Sequence, residues 1–200
     1  MEYFSYGIGD FSFCFIYGAI GSYIVFFYTD VACISAATVG TILLLSKIFD
    51  GISDMLMGYV IENVHSSLGK ARPWLLWMAI PYCAGSALLF TVPDLGETGR
   101  VIYAFISYNL MATTIFTSMN VPYGVLSSVM TNSQNERSIL SICRASFGAL
   151  GVFLISSYAP DLVEFFGGGA RGWQRTFLMI GLVSIGLFWF TFYGCKERVG

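Results

Sequence analysis

The chain has 200 residues, 56% hydrophobic and 11% charged, with a mean hydropathy of +0.71. A soluble domain carries about 25% charged residues, so that class is excluded. The net charge of −2 is thinly spread and forms no basic patch, which argues against a nucleic-acid partner.

The composition is that of an all-α polytopic membrane protein whose solvent is the lipid bilayer. Its 18 Phe, 12 Tyr and 4 Trp suit lipid-facing helices with aromatic belts at the interfaces. A span needs about 20 largely apolar residues. Six stretches qualify, at 3–28, 37–64, 74–92, 100–130, 138–159 and 174–195. Pro93-Asp94-Leu95-Gly96, Thr131-Asn132-Ser133-Gln134-Asn135 and Gly167-Gly168-Gly169 mark short loops between them. Residues 1–200 therefore read as one six-helix bundle. The first apolar stretch is too long, and its flank too poor in basic residues, for a cleavable signal peptide. Cys14, Cys33, Cys83, Cys143 and Cys195 form no CxxC, so neither a structural disulfide nor a cysteine metal site is expected.

Lys and Arg set the orientation. With a cytoplasmic N-terminus, Lys70, Arg72, Arg137, Lys196 and Arg198 fall inside, and Arg100, Arg171 and Arg175 outside. The bias predicts an N-in, C-in protein of the plasma (cytoplasmic) membrane.

In the first span Asp10, Cys14, Tyr17 and Gly21 share a face at offsets of four, three and four, and Gly18, Gly21 and Ser22 form a small-residue packing surface. Asp10 needs water or a partner, and its position near the cytoplasmic end leaves both open. Gly7-Ile8-Gly9-Asp10 is a GxGD, a tetrapeptide also found in intramembrane aspartyl proteases. Those enzymes need a second Asp in a Tyr-Asp pair on a preceding helix and a downstream Pro-Ala-Leu. This sequence has neither, and no enzyme activity is expected.

The second span carries Lys47, Asp50 and Asp54 at helical spacing, within roughly 60° of one another on one face. An intramembrane charge costs about 2.5–3.5 kcal/mol at a helix centre, so three of them must face a bundle interior or a water-filled cavity. One Lys and two Asp sum to −1, which one monovalent cation or one proton neutralises. Lys47 balances one carboxylate. A purely structural Lys47–Asp50 pair leaves Asp54 unanswered. With Ser53 on the same side, Asp50 and Asp54 supply hard oxygen donors suited to Na⁺ or to a proton relay. No cofactor is expected beyond that coupling ion. His65, the one histidine, lies in the following loop and receives no role. Lys70 and Arg72 in Gly69-Lys70-Ala71-Arg72-Pro73-Trp74 reach lipid headgroups or the carbonyl end of the second span.

The third and sixth spans carry no interior charge and are expected at the lipid-facing periphery, the third kinked near Pro81, Tyr82 and Gly85. The fourth has a polar stripe, Thr113, Thr117, Asn120 and Gly124, with Pro122 freeing a backbone carbonyl. Such a stripe suits a cavity wall better than threonines bonded to their own backbone. The fifth holds Arg144 at mid-span, with Ser141, Gly148 and Gly151 on the same face. Its partner is either a helix-two carboxylate or a polar substrate. Asn120 and Tyr17 are placed to share substrate hydroxyls with it.

The chain resembles the glycoside–pentoside–hexuronide:cation symporters of the major facilitator superfamily, the branch that includes the melibiose permease. The resemblance rests on Tyr6-Gly7-Ile8-Gly9-Asp10, Phe27-Tyr28-Thr29-Asp30, Asp50-Gly51-Ile52-Ser53-Asp54 and Gly58, and on the Gly69–Trp74 loop. It continues through Asn120-Val121-Pro122-Tyr123-Gly124, Glu136-Arg137 and Arg144. It implies a carrier of two six-helix halves, of which this chain is the N-terminal one and the C-terminal half a missing partner. Each half would be a pair of inverted three-helix repeats, with spans one, two, four and five lining the cavity. The cation ligands it implies are Asp50, Ser53, Asp54 and Thr117. Ser53 stands where the melibiose permease has Asn, which leaves Na⁺ and H⁺ both open. That permease's sugar-binding carboxylates fall on Cys14 and Asn120 and its Arg on Arg144, so the implied substrate is a sugar or glycoside other than a melibiose-type galactoside. Relatives in the wider branch carry lysolipids, and a non-transporting membrane scaffold is a further alternative.

Overall fold

The computed structural model describes residues 2–64, 66 and 69–198; His65 lies outside them. Within them the chain is all-α. Helix α1 (Glu2–Phe26) ends in a π-helical turn (Phe27–Val31). It is followed by α2 (Ala36–Asn63), α3 (Arg72–Trp77), α4 (Ala79–Leu89) and α5 (Glu97–Tyr108). A second π-helical turn (Asn109–Ile115) joins α5 to α6 (Phe116–Met130), and α7 (Gln134–Phe165) and α8 (Gly169–Gly194) complete the bundle. Five of these segments are long and apolar enough to cross a membrane.

The expected third span is divided. Pro81 has no N–H for the carbonyl of Trp77, and the helix is interrupted at Met78 between α3 and α4. The chain still runs on across the break, because Met78 and Tyr82 keep their bonds to Trp74 and Met78. This segment is more than peripheral filler. Trp77, Ile80 and Leu88 face outward, while Tyr82 is fully buried and donates to the Phe13 carbonyl at 3.1 Å.

Helix α1 is the centre of the bundle. Phe13 packs at 4.7–6.0 Å between ring centroids against Tyr82, Phe116, Tyr123 and Phe188, which come from α4, α6 and α8. Its longest neighbour is α7, reached over small residues. Gly18 lies against Val152, and Ser22 meets Ser156 at 2.9 Å. Gly21, expected in that seam, instead opens on a cavity. Pro160 cannot donate to the Ser156 carbonyl one turn back, and the Tyr23 hydroxyl supplies the missing donor.

Glu2, the Gly69–Arg72 turn and Glu197–Arg198 meet at one end of the bundle. Arg198 pairs with Glu2 at 2.7 Å. The Glu197 carboxylate accepts the backbone N–H groups of Lys70, Ala71 and Arg72 at 2.8, 3.0 and 2.9 Å. Gly69, at φ +103°, makes the turn that presents them, and a Cβ there would overlap Glu197. The Arg72 guanidinium bonds the Phe192 carbonyl at 2.8 Å and covers its ring. It therefore caps the end of α8, where the sequence offered lipid headgroups or the carbonyl end of the second span.

A carboxylate bonded to three N–H groups predicts a measurable clamp. Glu197→Ala should destabilise the purified protein by about 1.5–3 kcal/mol, with Glu197→Gln intermediate. Thermal unfolding in one detergent measures both, and equal melting temperatures for all three proteins would remove the clamp.

Candidate functional site

Among the described residues, five charges lie well inside helices: Asp10, Lys47, Asp50, Asp54 and Arg144. The structure sorts them into two groups.

The first joins α1, α6 and α7. Arg144 donates from Nε to Asp10 Oδ1 at 2.8 Å and from Nη2 to Asn120 Oδ1 at 3.0 Å. Its guanidinium carbon stands 5.0 Å from the centre of the Tyr123 ring. Cys14 Sγ donates to the other Asp10 oxygen at 3.6 Å, so both carboxylate oxygens are engaged. Asp10 is only 7% exposed. Tyr6 and Tyr123 stack at 4.6 Å, and each hydroxyl donates to the other's backbone carbonyl, which fixes α1 against α6 beneath the arginine. Asp10 is therefore not a solvated interfacial residue, and Arg144 does not pair with a helix-two carboxylate. The reason is the helix order in space. α7 lies along α1, and a turn beyond Arg144 it presents Gly148, where any Cβ would overlap Asp10 Oδ2.

The second group joins α2 to the π-helical turn and α6. Lys47 Nζ lies 3.3 Å from Asp50 Oδ2 on the same helix, with the Lys side chain 64% exposed. Thr117 Oγ1 donates to Asp54 Oδ1 at 3.1 Å. Ser53 Oγ donates to the Thr113 carbonyl at 3.1 Å, and Asn109 Nδ2 donates to Ser46 Oγ at 2.9 Å. Of the four residues matched to cation ligands, Asp54 and Thr117 are in contact. Ser53 turns to a backbone carbonyl, and Asp50 to Lys47.

Tyr17 belongs with this second group. It stacks on Phe116 at 4.2 Å and lines a cavity of about 510 Å³ with Lys47 and Tyr108, and no hydrogen bond joins it to Arg144 or Asn120. Sequence reasoning overlooked Tyr123, Asn109 and Ser46. An Asn inside an apolar span was a signal for Asn109, and Tyr123 sat within the Asn-Val-Pro-Tyr-Gly motif already singled out.

These two polar groups, set in a bundle of apolar helices, can be compared with known proteins. Residues 5–200 match the family described as MFS/sugar transport protein. The chain belongs to that family. It is 37% identical over 202 residues to the isoprimeverose transporter of Lactiplantibacillus pentosus, a match covering 99% of this chain and 42% of that protein. It is 36% identical to the putative glycoside/cation symporter YagG of Escherichia coli K12, covering 96% of this chain and 42% of the relative. It is also 36% identical to the inner membrane symporter YicJ of the same bacterium, covering 99% and 43%. The chain thus spans less than half the length of these curated relatives. Membership of a family of membrane transporters makes the long apolar helices of this all-α chain those of an integral membrane protein.

The close approach at residue 148 predicts a contrast between two glycines. Gly148→Ala should cost about 1–3 kcal/mol, because the added methyl displaces Asp10. Gly21→Ala meets nothing within 4 Å and should be neutral or stabilising by up to about 1 kcal/mol. Melting temperatures of the two variants in one detergent check this.

Proposed function

We propose that the chain forms one six-span half of a carrier that couples a sugar or glycoside to a monovalent cation by alternating access. The observation that carries this is the balance of the charges set well inside the helices. Asp10 and Arg144 cancel, Lys47 cancels Asp50, and Asp54 remains, bonded by the neutral hydroxyl of Thr117. Two positive and three negative charges leave −1, which Na⁺ or H⁺ neutralises.

Asp50, Asp54, Ser53 and Thr117 form the cation side, with Lys47 balancing it. Asp54 Oδ1 and Thr117 Oγ1 are hard oxygens already 3.1 Å apart, and Asp50 is one helical turn away. Arg144, Asn120, Asp10 and Cys14 form the sugar side, where polar side chains meet the hydroxyls of a glycoside, and Tyr17 stands with Lys47 and Tyr108 on the cation side. An isoprimeverose transporter and a glycoside/cation symporter among the relatives support this substrate class. An unfilled cation site leaves an unanswered negative charge on the cavity wall that disfavours closure around the substrate. Cation binding removes it and couples the two ligands. The second half of the carrier is the partner that completes the cavity.

Two tests follow, made on the complete two-half carrier. Asp54→Asn and Asp50→Asn should each abolish cation-driven substrate accumulation while sparing exchange down a gradient. A mutant that still concentrates substrate with unchanged cation dependence removes that residue from coupling. The orientation follows from the Lys and Arg bias, with both termini cytoplasmic. Single cysteines at Lys70 and Glu97 in a cysteine-free background should then react with an impermeant thiol reagent in sealed cells only at position 97; labelling at 70 reverses the topology.

A further inference from the structure

The Lys47–Asp50 pair joins nothing in the bundle. Both residues belong to α2, three positions apart, so their 3.3 Å contact crosses no helix interface. A pair as exposed as this adds little to stability, while an ammonium inside an apolar span is costly. Its effect falls on Asp50 itself. The ammonium takes Asp50 Oδ2, while Asp54, one turn along the same face, accepts the neutral hydroxyl of Thr117. A monovalent cation that draws oxygens from both carboxylates has to take Oδ2 from Lys47.

The ammonium has somewhere to go. Its side chain is 64% exposed and rides on a flexible four-carbon stem. The pair stands in a cleft walled by Tyr17, Tyr108 and Thr113. Lys47 and the two tyrosines also line the cavity of about 510 Å³, so Lys47 belongs to the walls of both. Phenolic hydroxyls accept hydrogen bonds from an ammonium. A released Lys47 can therefore turn from Asp50 toward Tyr17 and Tyr108 and keep polar partners. Tyr17 and Gly21, on that cavity wall, share their α1 face with Asp10 and Cys14 of the sugar side.

We propose that Lys47 is a tethered competitor for the coupling cation: its ammonium holds Asp50 until the cation arrives, and the cation displaces it into the cavity of Tyr17 and Tyr108. This rests on the assignment of Asp50 and Asp54 to the cation side. Lys47 is a positioning residue that acts through Asp50. The exchange sets one positive charge against another on the same carboxylate, so it depends on contacts within α2 and not on the net charge of the completed cavity. Arginine separates competition from mere charge balance. A balancing charge acts through its field, which Lys and Arg share. A competitor acts through its grip on Oδ2, and a guanidinium, with paired N–H donors, grips a carboxylate more tightly than an ammonium does.

The test uses the purified complete two-half carrier and Na⁺ alone at fixed pH, with H⁺ as the titrant where the wild type takes no Na⁺. Lys47→Gln should bind the cation about ten- to hundredfold more tightly, the effect of removing one hydrogen bond to a charged group. Lys47→Arg should lose affinity for it relative to wild type. Reductive methylation of Lys47, followed by mass spectrometry of its peptide, reads the displacement directly. Its rate should rise as Na⁺ saturates, and in Asp50→Asn it should be high without cation. Where H⁺ is the titrant, the comparison of wild type with Asp50→Asn at one pH carries that arm. Unchanged or tighter cation binding in Lys47→Arg overturns the proposal. So does a folded Lys47→Gln protein that binds the cation no better than wild type, or a methylation rate indifferent to both cation and Asp50→Asn. The methylation arm needs no substitution at 47 and decides even if those variants do not fold. Wild type that responds to neither Na⁺ nor H⁺ overturns the cation-coupled reading itself, and the competitor proposal falls with it.

Discussion

A charge in an apolar bundle has to be answered within a few ångströms, and the Asp10–Arg144 pair is where this protein meets that demand across its longest helix contact. Breaking a buried pair from one side costs about 3–5 kcal/mol, because the other charge is left behind. The pair exists because α1 and α7 come close enough for a carboxylate to fit against bare backbone at Gly148. The same approach sets Tyr6 on Tyr123 and so brings α6 and Asn120 under the guanidinium. Packing and chemistry are here one arrangement, in which a methyl group added to α7 would move a charge on α1.

The other polar group is built differently. Its ion pair lies within a single helix, and its cross-helix bonds are one hydroxyl to a carboxylate, one hydroxyl to a carbonyl and one amide to a hydroxyl. Helix α2, which carries it, buries only Val39, Ile42, Ser46, Met57 and Ile61, whereas α1 buries about half its length. An element held by few buried contacts shifts at lower cost than a core element. The side assigned to the cation rests on such a helix, while the side assigned to the sugar is shared between α1, the most buried of the long helices, and α6 and α7, of which α7 is as lightly buried as α2.

Much of this was legible in the sequence. Hydropathy located the long helices, and helical spacing put Lys47, Asp50 and Asp54 on one face and Thr117 and Asn120 on another. What spacing cannot supply is which faces meet. Asp10 and Arg144 are 134 positions apart, and nothing in either span says that α7 lies along α1. The same ignorance of helix order left Arg72 between lipid headgroups and the second span, and put Tyr17 beside Arg144 instead of Lys47. The break at Met78 was half visible. Pro81 signalled a kink, yet the burial of Tyr82 depends on the neighbours α1 and α8. The π-helical turns left no trace in composition at all.

The π-helical turn at Asn109–Ile115 carries a consequence for how such sequences diverge. It amounts to one residue inserted into the 34-residue helical segment Glu97–Met130. One residue corresponds to about 100° of helix rotation. The wider π turn absorbs that residue, so the helix beyond it keeps its orientation and still brings Thr117 to Asp54 and Asn120 to Arg144. Deleting one residue inside the turn would close it to plain α-helix with those side chains still in place. Deleting one between Phe116 and Asn120, where the helix has no such slack, would swing Asn120 away from Arg144. Chains of this architecture can therefore differ by one position at the turn and keep both polar groups assembled.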